Sequence, residues 1–199
     1  RDLFHVTYLS PQGERWLDQS AKEAASSLTT KKKWVFVCGR YAGIDQRFLH
    51  KNIDSEISIG DFVVSGGEYP AVMVMDSLIR YIPGALGNEV SAKKDSFADG
   101  LLEGPTYTRP PKVGLLEVPS VLQEGHHEKI SQWRRSISIL KTAQARPDML
   151  KSSSLSKKEL TQAESLWKSL SLKEKKECGL SVDREPLSIL TQMSAHDSK

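Results

Sequence analysis

Apolar residues recur at two different spacings in the first 86 positions, one typical of strands and the other typical of helices. Short runs rich in apolar and β-branched residues at 3–9, 34–38 and 61–65 predict strands. Apolar positions at helical spacing predict helices over 15–28 and 70–82, and Asp45 predicts the N-cap of a short helix that ends at Asn52. Strands that alternate with helices indicate an α/β domain with a parallel sheet.

The pattern changes beyond residue 94 and becomes helical. The proline-rich stretch 105–111 predicts an extended segment, and a helix is expected over 128–143. Ser156 and Ser171 each have a glutamate three positions later, which is typical of a capping box at the start of a helix. The tail after Asp183 shows no clear periodicity. The second half therefore predicts a small, mostly α-helical domain.

A small and polar stretch separates the two halves. Residues 87–94 read Gly-Asn-Glu-Val-Ser-Ala-Lys-Lys, a composition typical of a flexible linker. We therefore expect an α/β domain over 1–86, a linker over 87–94 and a helical domain over 95–199.

Composition narrows the class of protein. The chain has 199 residues, 38% of them hydrophobic, and no apolar run approaches the length that spans a membrane. Its two cysteines, Cys38 and Cys178, lie far apart and lack metal-ligand spacing, so no metal site is predicted from them. These features predict a cytoplasmic protein without a membrane partner.

Charge is distributed unevenly along the chain. Within 129–176, twelve Lys and Arg residues face only four Asp and Glu residues, although the whole chain has a net charge of only +3. Such an excess fits a domain that binds a polyanion, with Arg134 and Arg135 as candidate contacts, and it equally fits a solvated lysine-rich surface.

Three glycine-bearing segments follow or contain strand-like runs. They are Leu-Ser-Pro-Gln-Gly at 9–13, Cys-Gly-Arg-Tyr-Ala-Gly-Ile-Asp at 38–45 and Ile-Gly-Asp-Phe-Val-Val-Ser-Gly-Gly-Glu-Tyr-Pro at 59–70. None matches the dinucleotide fingerprint or the P-loop. Because ligands of open α/β sheets lie beyond the carboxyl ends of the strands, these loops predict one ligand site.

The three loops, together with Arg-Tyr-Ile-Pro-Gly at 80–84 and Asp-Ser-Phe at 95–97, closely resemble the bacterial tRNA (guanine-N1)-methyltransferase family. The resemblance implies a SPOUT-type parallel sheet tied in a trefoil knot, followed by a linker and a helical domain. It also implies transfer of a methyl group from S-adenosylmethionine to N1 of guanosine 37, next to the anticodon of tRNA. The family further implies a homodimer in which the second domain of one subunit closes over the cofactor loops of the other.

The resemblance assigns cofactor contacts to each loop. The matching positions are Tyr8, Leu9, Ser10 and Pro11 in the first loop, Gly39 and Tyr41 in the second, and Ile59, Gly60, Phe62, Val64, Gly66, Gly67 and Pro70 in the third. Glycine permits close approach of backbone groups to a neutral adenine, which agrees with this assignment.

The resemblance also assigns the catalytic residues. Methylation of guanine N1 requires removal of its proton, and the family's aspartate for this task matches Asp95. Negative charge then develops on O6, and the matching arginine that would stabilise it is Arg80.

Two departures from the family pattern leave other functions open. Ala42 stands where the family usually has a glutamate linked to magnesium dependence, so a role of Mg²⁺ is in question. The family's amino-terminal strands have no counterpart before Arg1, so the expected first domain is incomplete. The alternatives are a knotted RNA-binding protein without turnover and a related methyltransferase that acts on another RNA.

Overall fold

A computed structural model describes residues 3–27, 33–41, 43–86, 95–151 and 153–196. Ala42 and the expected linker 87–94 lie outside the described residues. The chain divides into two compact units, a first unit Arg1–Ala92 and a second unit Lys93–Lys199.

The first unit is built on a parallel sheet, as the alternating pattern predicts. Among the described residues, β1 (Phe4–Arg15) is the central strand, between β2 (Lys33–Cys38) and β3 (Ser55–Ser58), and both pairings are parallel. Leu9 lies opposite Cys38 on one side and Ile57 on the other. Pairing with β3 then breaks and resumes only at Glu14, so residues 10–13 bulge out of the sheet.

The helices of the first unit are α1 (Asp18–Ser27), α2 (Gln46–Asn52) and α3 (Glu68–Ile79). The predicted cap of α2 is confirmed, because the Asp45 carboxylate accepts a 2.8 Å hydrogen bond from the backbone N–H of Arg47. Helix α3 packs Ala71 and Val74 against Leu9 and Ile57 of the sheet. This packing fixes the start of α3 beside the ends of the strands.

One predicted strand of the first unit is wrong, and one predicted helix ends earlier than expected. The third strand is Ser55–Ser58, whereas residues 61–65 form bends. The Phe-Val-Val run at 62–64 looks like a strand in the sequence, but Gly60 with φ +144° turns the chain out of the sheet before it. Helix α3 also ends at Ile79 rather than at Ile82.

The second unit is a helical cluster around a large apolar core. Its helices are α4 (His127–Ala145), α5 (Pro147–Leu150), α6 (Lys157–Ser169), α7 (Leu172–Glu177) and α8 (Leu187–His196). Both predicted capping boxes are present, at the starts of α6 and α7. Ile137 and Leu140 of α4 and Leu160 of α6 are fully buried in the core.

The tail after Asp183, which lacks clear periodicity in the sequence, forms α8. Its Leu190 is buried in the same core as α4 and α6. Polar residues interrupt the apolar ones in this helix, so tertiary packing rather than a strong amphipathic pattern determines it.

Irregular structure precedes α4. The segment 105–111 is not helical, in agreement with the prediction, but it bends at 109–111. A short hairpin of β4 (Lys112–Val113) and β5 (Leu116–Glu117) and a 3₁₀ turn at Ser120–Leu122 follow it. Within the described ranges, no helix combines the length and the apolar character needed to cross a lipid bilayer.

Candidate functional site

The three glycine-bearing loops meet around one cavity of about 410 Å³ in the first unit. It lies where β2 and β3 end and where the pairing of β1 with β3 is interrupted. All thirteen residues that the resemblance assigns to the cofactor line it: Tyr8, Leu9, Ser10, Pro11, Gly39, Tyr41, Ile59, Gly60, Phe62, Val64, Gly66, Gly67 and Pro70. We call this space the loop cavity.

Backbone contacts fasten the second loop to the third. Arg40 and Gly66 form an isolated antiparallel bridge, and the N–H of Gly67 donates a 3.1 Å hydrogen bond to the carbonyl of Gly39. A Cβ atom on Gly67 would lie 2.8 Å from the Cα of Cys38, closer than side chains approach backbone. Only glycine therefore permits this junction, which forms one wall of the loop cavity.

The ring of Tyr8, in the first loop, lies close to Gly39 of the second loop. Tyr8 is buried, and a Cβ on Gly39 would lie 3.0 Å from the Tyr8 hydroxyl and 3.2 Å from its ring. On the opposite side, the Ser58 hydroxyl lies 3.2 Å from both the N–H and the carbonyl oxygen of Gly60. The second loop thus contacts both the first and the third, and the Ser58 hydroxyl supports the start of the third loop from within the same segment.

Large apolar side chains at the rim of the loop cavity are exposed. Tyr41 is 100% and Val63 84% exposed, and Phe62 and Val64 are also exposed. Tyr41 has φ +59°, an uncommon conformation for a residue other than glycine that is often found at ligand sites. Exposed apolar walls beside glycine backbone are suited to a flat ligand with an apolar face.

An ion pair at the rim of the loop cavity was not predicted from the sequence. The Nε of Arg40 donates a 2.7 Å hydrogen bond to Oε1 of Glu68, the first residue of α3. This hydrogen bond lowers the pKa of the Glu68 carboxyl group below its usual range. Both residues lie within glycine-bearing segments, which marks each as a candidate. They are 28 positions apart, however, and no sequence pattern predicts that they pair.

Arg80 does not line the loop cavity. It follows the last residue of α3 and is exposed, whereas Pro70 at the other end of the helix lines the cavity. Ten helical residues rise about 15 Å, which places Arg80 outside the set of residues that line this cavity.

Asp95 lines a separate cavity within the second unit. This space of about 610 Å³, which we call the Asp95 cavity, is formed by the turn 95–100, the segment 101–105 and one face of α4. Arg134 and Arg135 also line it, so the structure brings both candidate tRNA contacts to the candidate base. Glu103 is a further acidic lining residue that the sequence analysis did not select.

The two arginines of the Asp95 cavity differ in their surroundings. Arg135 is ion-paired with Asp99, and its Nε donates a 2.9 Å hydrogen bond to Oε1 of Glu159. Arg134 is exposed to solvent. Arg134 is therefore the better placed of the two to contact a phosphate group.

Metal binding finds no support in the part of the chain that the structure describes. There, no three His, Cys, Asp or Glu side chains are grouped so that they could hold a metal ion.

Comparisons with known proteins agree with the motifs. A profile described as tRNA (Guanine-1)-methyltransferase TrmD matches residues 2–152. Curated proteins named tRNA (guanine-N(1)-)-methyltransferase are similar to this chain: that of Hydrogenovibrio crunogenus is 54% identical over 145 residues, which cover 73% of this chain and 60% of the relative. That of an Enterobacter species is 50% identical over 154 residues, covering 77% and 59%. That of Pectobacterium carotovorum is 51% identical over 150 residues, covering 75% and 58%.

These matches span about three fifths of the length of those relatives. The family profile covers the whole first unit from residue 2 onward, and the second unit through α4 and α5. The chain belongs to the tRNA (guanine-1)-methyltransferase family.

Proposed function

We propose that this protein transfers a methyl group from S-adenosylmethionine to N1 of guanosine 37 in tRNA, in the cytoplasm. The observation that supports this most is the convergence of three separate glycine loops on one cavity in a chain of this family.

The loop cavity fits S-adenosylmethionine in size and chemistry. Small-molecule sites range from about 300 to 1,000 Å³, and the loop cavity of about 410 Å³ falls in this range. Glycine backbone at 39, 60, 66 and 67 can contact the edge of an adenine, and the exposed side chains of Phe62 and Val64 can cover its face. We further propose that the loops form the trefoil knot of the SPOUT fold.

Asp95 is the proposed general base. Neutral guanine has no available in-plane lone pair at N1, because that nitrogen carries a proton. The Asp95 carboxylate accepts this proton, and the freed N1 electron pair forms the new bond to the methyl carbon. S-adenosylmethionine supplies the electrophilic methyl group and its sulfur keeps the electrons of the broken bond. The Arg80 guanidinium stabilises the negative charge that develops on O6.

The outer face of α3 supports a homodimer with a shared site. Tyr69 is 68% and Val72 60% exposed, and Met73 and Ile79 on the same side of the helix are exposed as well. Soluble proteins rarely leave such a continuous apolar stripe uncovered. Because Arg80 lies next to this face, a second copy packed there would bring a partner chain close to Arg80. Asp95 of that partner then completes the site.

The second unit is the proposed tRNA-binding domain. Its stretch 129–176 has twelve basic and four acidic residues, and Arg134 lies at the mouth of the Asp95 cavity. A phosphate held by Arg134 would place the adjoining nucleotide near the Asp95 carboxylate.

Two measurements on the protein at full length test the proposal. Calorimetry with S-adenosylmethionine reports on cofactor binding, and nucleoside mass spectrometry of a methylated anticodon stem-loop reports on the product. We expect N1-methylguanosine at position 37 and none when that position is adenosine. Cofactor binding without a product would favour the RNA-binding alternative, and a methyl group on ribose or on another RNA would favour the related methyltransferase.

A further inference from the structure

The turn 95–100 is docked onto α4 by several specific contacts. Leu101 is buried in the core, and the N–H of Leu102 donates a 2.9 Å hydrogen bond to the Thr142 hydroxyl of α4. Within the turn, the carbonyl of Asp95 accepts a 3.2 Å hydrogen bond from the N–H of Ala98. Asp95 is therefore part of a hydrogen-bonded turn that leads directly into residues anchored on α4.

The turn needs support from its surroundings. Phe97 has φ +76°, in the left-handed region that is costly for an aromatic residue, and Gly100 has φ +80°. Such a conformation persists where neighbouring contacts enforce it. The ion pair between Asp99 and Arg135 joins the middle of the turn to α4.

Arg135 is itself held in place from a third element. Its Nε binds Oε1 of Glu159, while the other carboxylate oxygen of Glu159 accepts a 2.8 Å hydrogen bond from the N–H of Ser156 in the capping box of α6. Arg135 is only 31% exposed, and its guanidinium uses different nitrogens for the two carboxylates. The planar fork of arginine suits this double role.

From this geometry we infer that Arg135 is a positioning residue for Asp95, acting through Asp99, rather than a contact to the tRNA backbone. The inference rests on the proposed function, in which Asp95 removes the N1 proton. Arg135 joins α4, the start of α6 and the turn 95–100, and so fixes where the Asp95 carboxylate stands in its cavity. Misplacement of a reacting group by about 1 Å can cost about a hundredfold in rate.

The test compares Arg135→Met, Asp99→Asn and the double variant in single-turnover methylation of a tRNA anticodon stem-loop, with rates expressed per molecule able to bind S-adenosylmethionine. We expect each single variant to lower kcat at least about tenfold, with KM for RNA changed less than about threefold. The double variant is no slower than the slower single, because both changes break one link. Arg135→Lys, which keeps a charge for Asp99, recovers part of kcat.

A matched pair of substitutions controls for loss of an ion pair elsewhere. Lys112 pairs with Glu117 on the exposed hairpin, outside the basic stretch 129–176, and neither residue lines the Asp95 cavity. Lys112→Met and Glu117→Gln are expected to leave kcat within about twofold, as surface ion pairs contribute little.

Other outcomes overturn the inference. If Arg135→Met raises KM and lowers the salt dependence of RNA binding while Asp99→Asn does neither, Arg135 contacts phosphate. If kcat per folded molecule is unchanged in both variants, the ion pair serves stability alone. If the parent protein makes no N1-methylguanosine at all, the proposed function fails and the inference with it, whereas an active parent with unaffected variants refutes only the inference.

Discussion

The two units differ in where they place their apolar side chains. The second unit buries them in one core that joins α4, α6 and α8 with the turns between them. The buried core of the first unit is smaller, centred on Leu9, Ile57, Ala71 and Val74. Among the described residues of the first unit, large apolar side chains remain exposed at the rim of the loop cavity and along α3.

We therefore expect the two units to depend on different partners to cover their apolar side chains. The second unit buries most of its large apolar side chains in that core, although Val113, Leu115 and Leu116 of the hairpin and Leu172 remain exposed. The first unit leaves more of them exposed, including those at the rim of the loop cavity and those along α3. We propose that S-adenosylmethionine covers the rim of the loop cavity and that a second copy of the chain covers α3. Substitutions in the glycine loops of the first unit should therefore affect cofactor binding, whereas those in the second unit should affect turnover, RNA affinity or stability.

The largest effect is expected at the junction of the second and third loops. Gly67→Ala places a Cβ 2.8 Å from the Cα of Cys38, where backbone must move, so S-adenosylmethionine binding should be lost in calorimetry. Gly66→Ala is the matched control, since its Cβ would meet mainly the carboxylate end of Glu68, a flexible side chain that can turn away. We expect Gly66→Ala to weaken binding much less. Equal affinities in the two variants would contradict the proposed role of this junction.

The second prediction concerns a substitution that should slow turnover without changing the affinity for S-adenosylmethionine. Asp95→Asn removes the proposed base but keeps the shape of the side chain, so kcat should fall by about 10²–10⁴. Affinity for S-adenosylmethionine should remain that of the parent, because the proposed cofactor contacts are the residues of the loop cavity, which this substitution leaves unchanged. Single-turnover kinetics and calorimetry on the same preparation measure both. A variant that methylates at the parent rate would remove Asp95 from the mechanism.

A smaller effect is expected for RNA affinity. Lys and Arg contacts to phosphate release counterions, so the affinity for tRNA should fall steeply as salt increases. Arg134→Ala should weaken binding several-fold and reduce the slope of log K against log salt by roughly 0.7–0.9. Filter binding over a range of salt concentrations measures this slope. An unchanged slope would indicate that the basic stretch 129–176 is a solvated surface rather than a contact to RNA.

A separate effect concerns the stability of the second unit at alkaline pH. Burial raises the pKa of the Cys178 thiol from 9.0 to about 11. The unfolded chain therefore loses this proton first, and the stabilisation is complete below pH 9 and lost as the pH rises to about 11. The stability advantage of the parent over Cys178→Ala should shrink by about 2 kcal/mol over this range, as measured by urea unfolding. Cys38→Ala, at a thiol that is only partly buried, should show a smaller change.

Local signals predicted much of the fold. The parallel sheet, the cap at Asp45 and both capping boxes follow from short sequence patterns and are confirmed. Strand β3 was missed because Ser-Glu-Ile-Ser has a single strongly apolar residue, and it is defined by its pairing with β1. Helix α8 was missed for a similar reason, since burial of Leu190 against distant helices determines it.

The candidate site was predictable only where motifs are contiguous. Each glycine loop could be found from its own residues, and the prediction that they converge agrees with the loop cavity. The pairing of Arg40 with Glu68, and of Arg135 with Asp99 and Glu159, depends on contacts between elements far apart in sequence. No local pattern reports such contacts, so the sequence assigned Arg135 to RNA although its charge is already paired.

Subunit complementation distinguishes most directly between a shared site and a site within one chain, because we propose that the loops and Arg80 of one chain act with Asp95 of another. Arg80→Ala and Asp95→Ala proteins, each inactive alone, are mixed at full length under conditions of subunit exchange. Half of the dimers are then mixed and each has one intact site, so about a quarter of the parent methylation rate should return. Exchange shown by differently tagged subunits, without recovered methylation, would place the whole site within one chain and contradict the account.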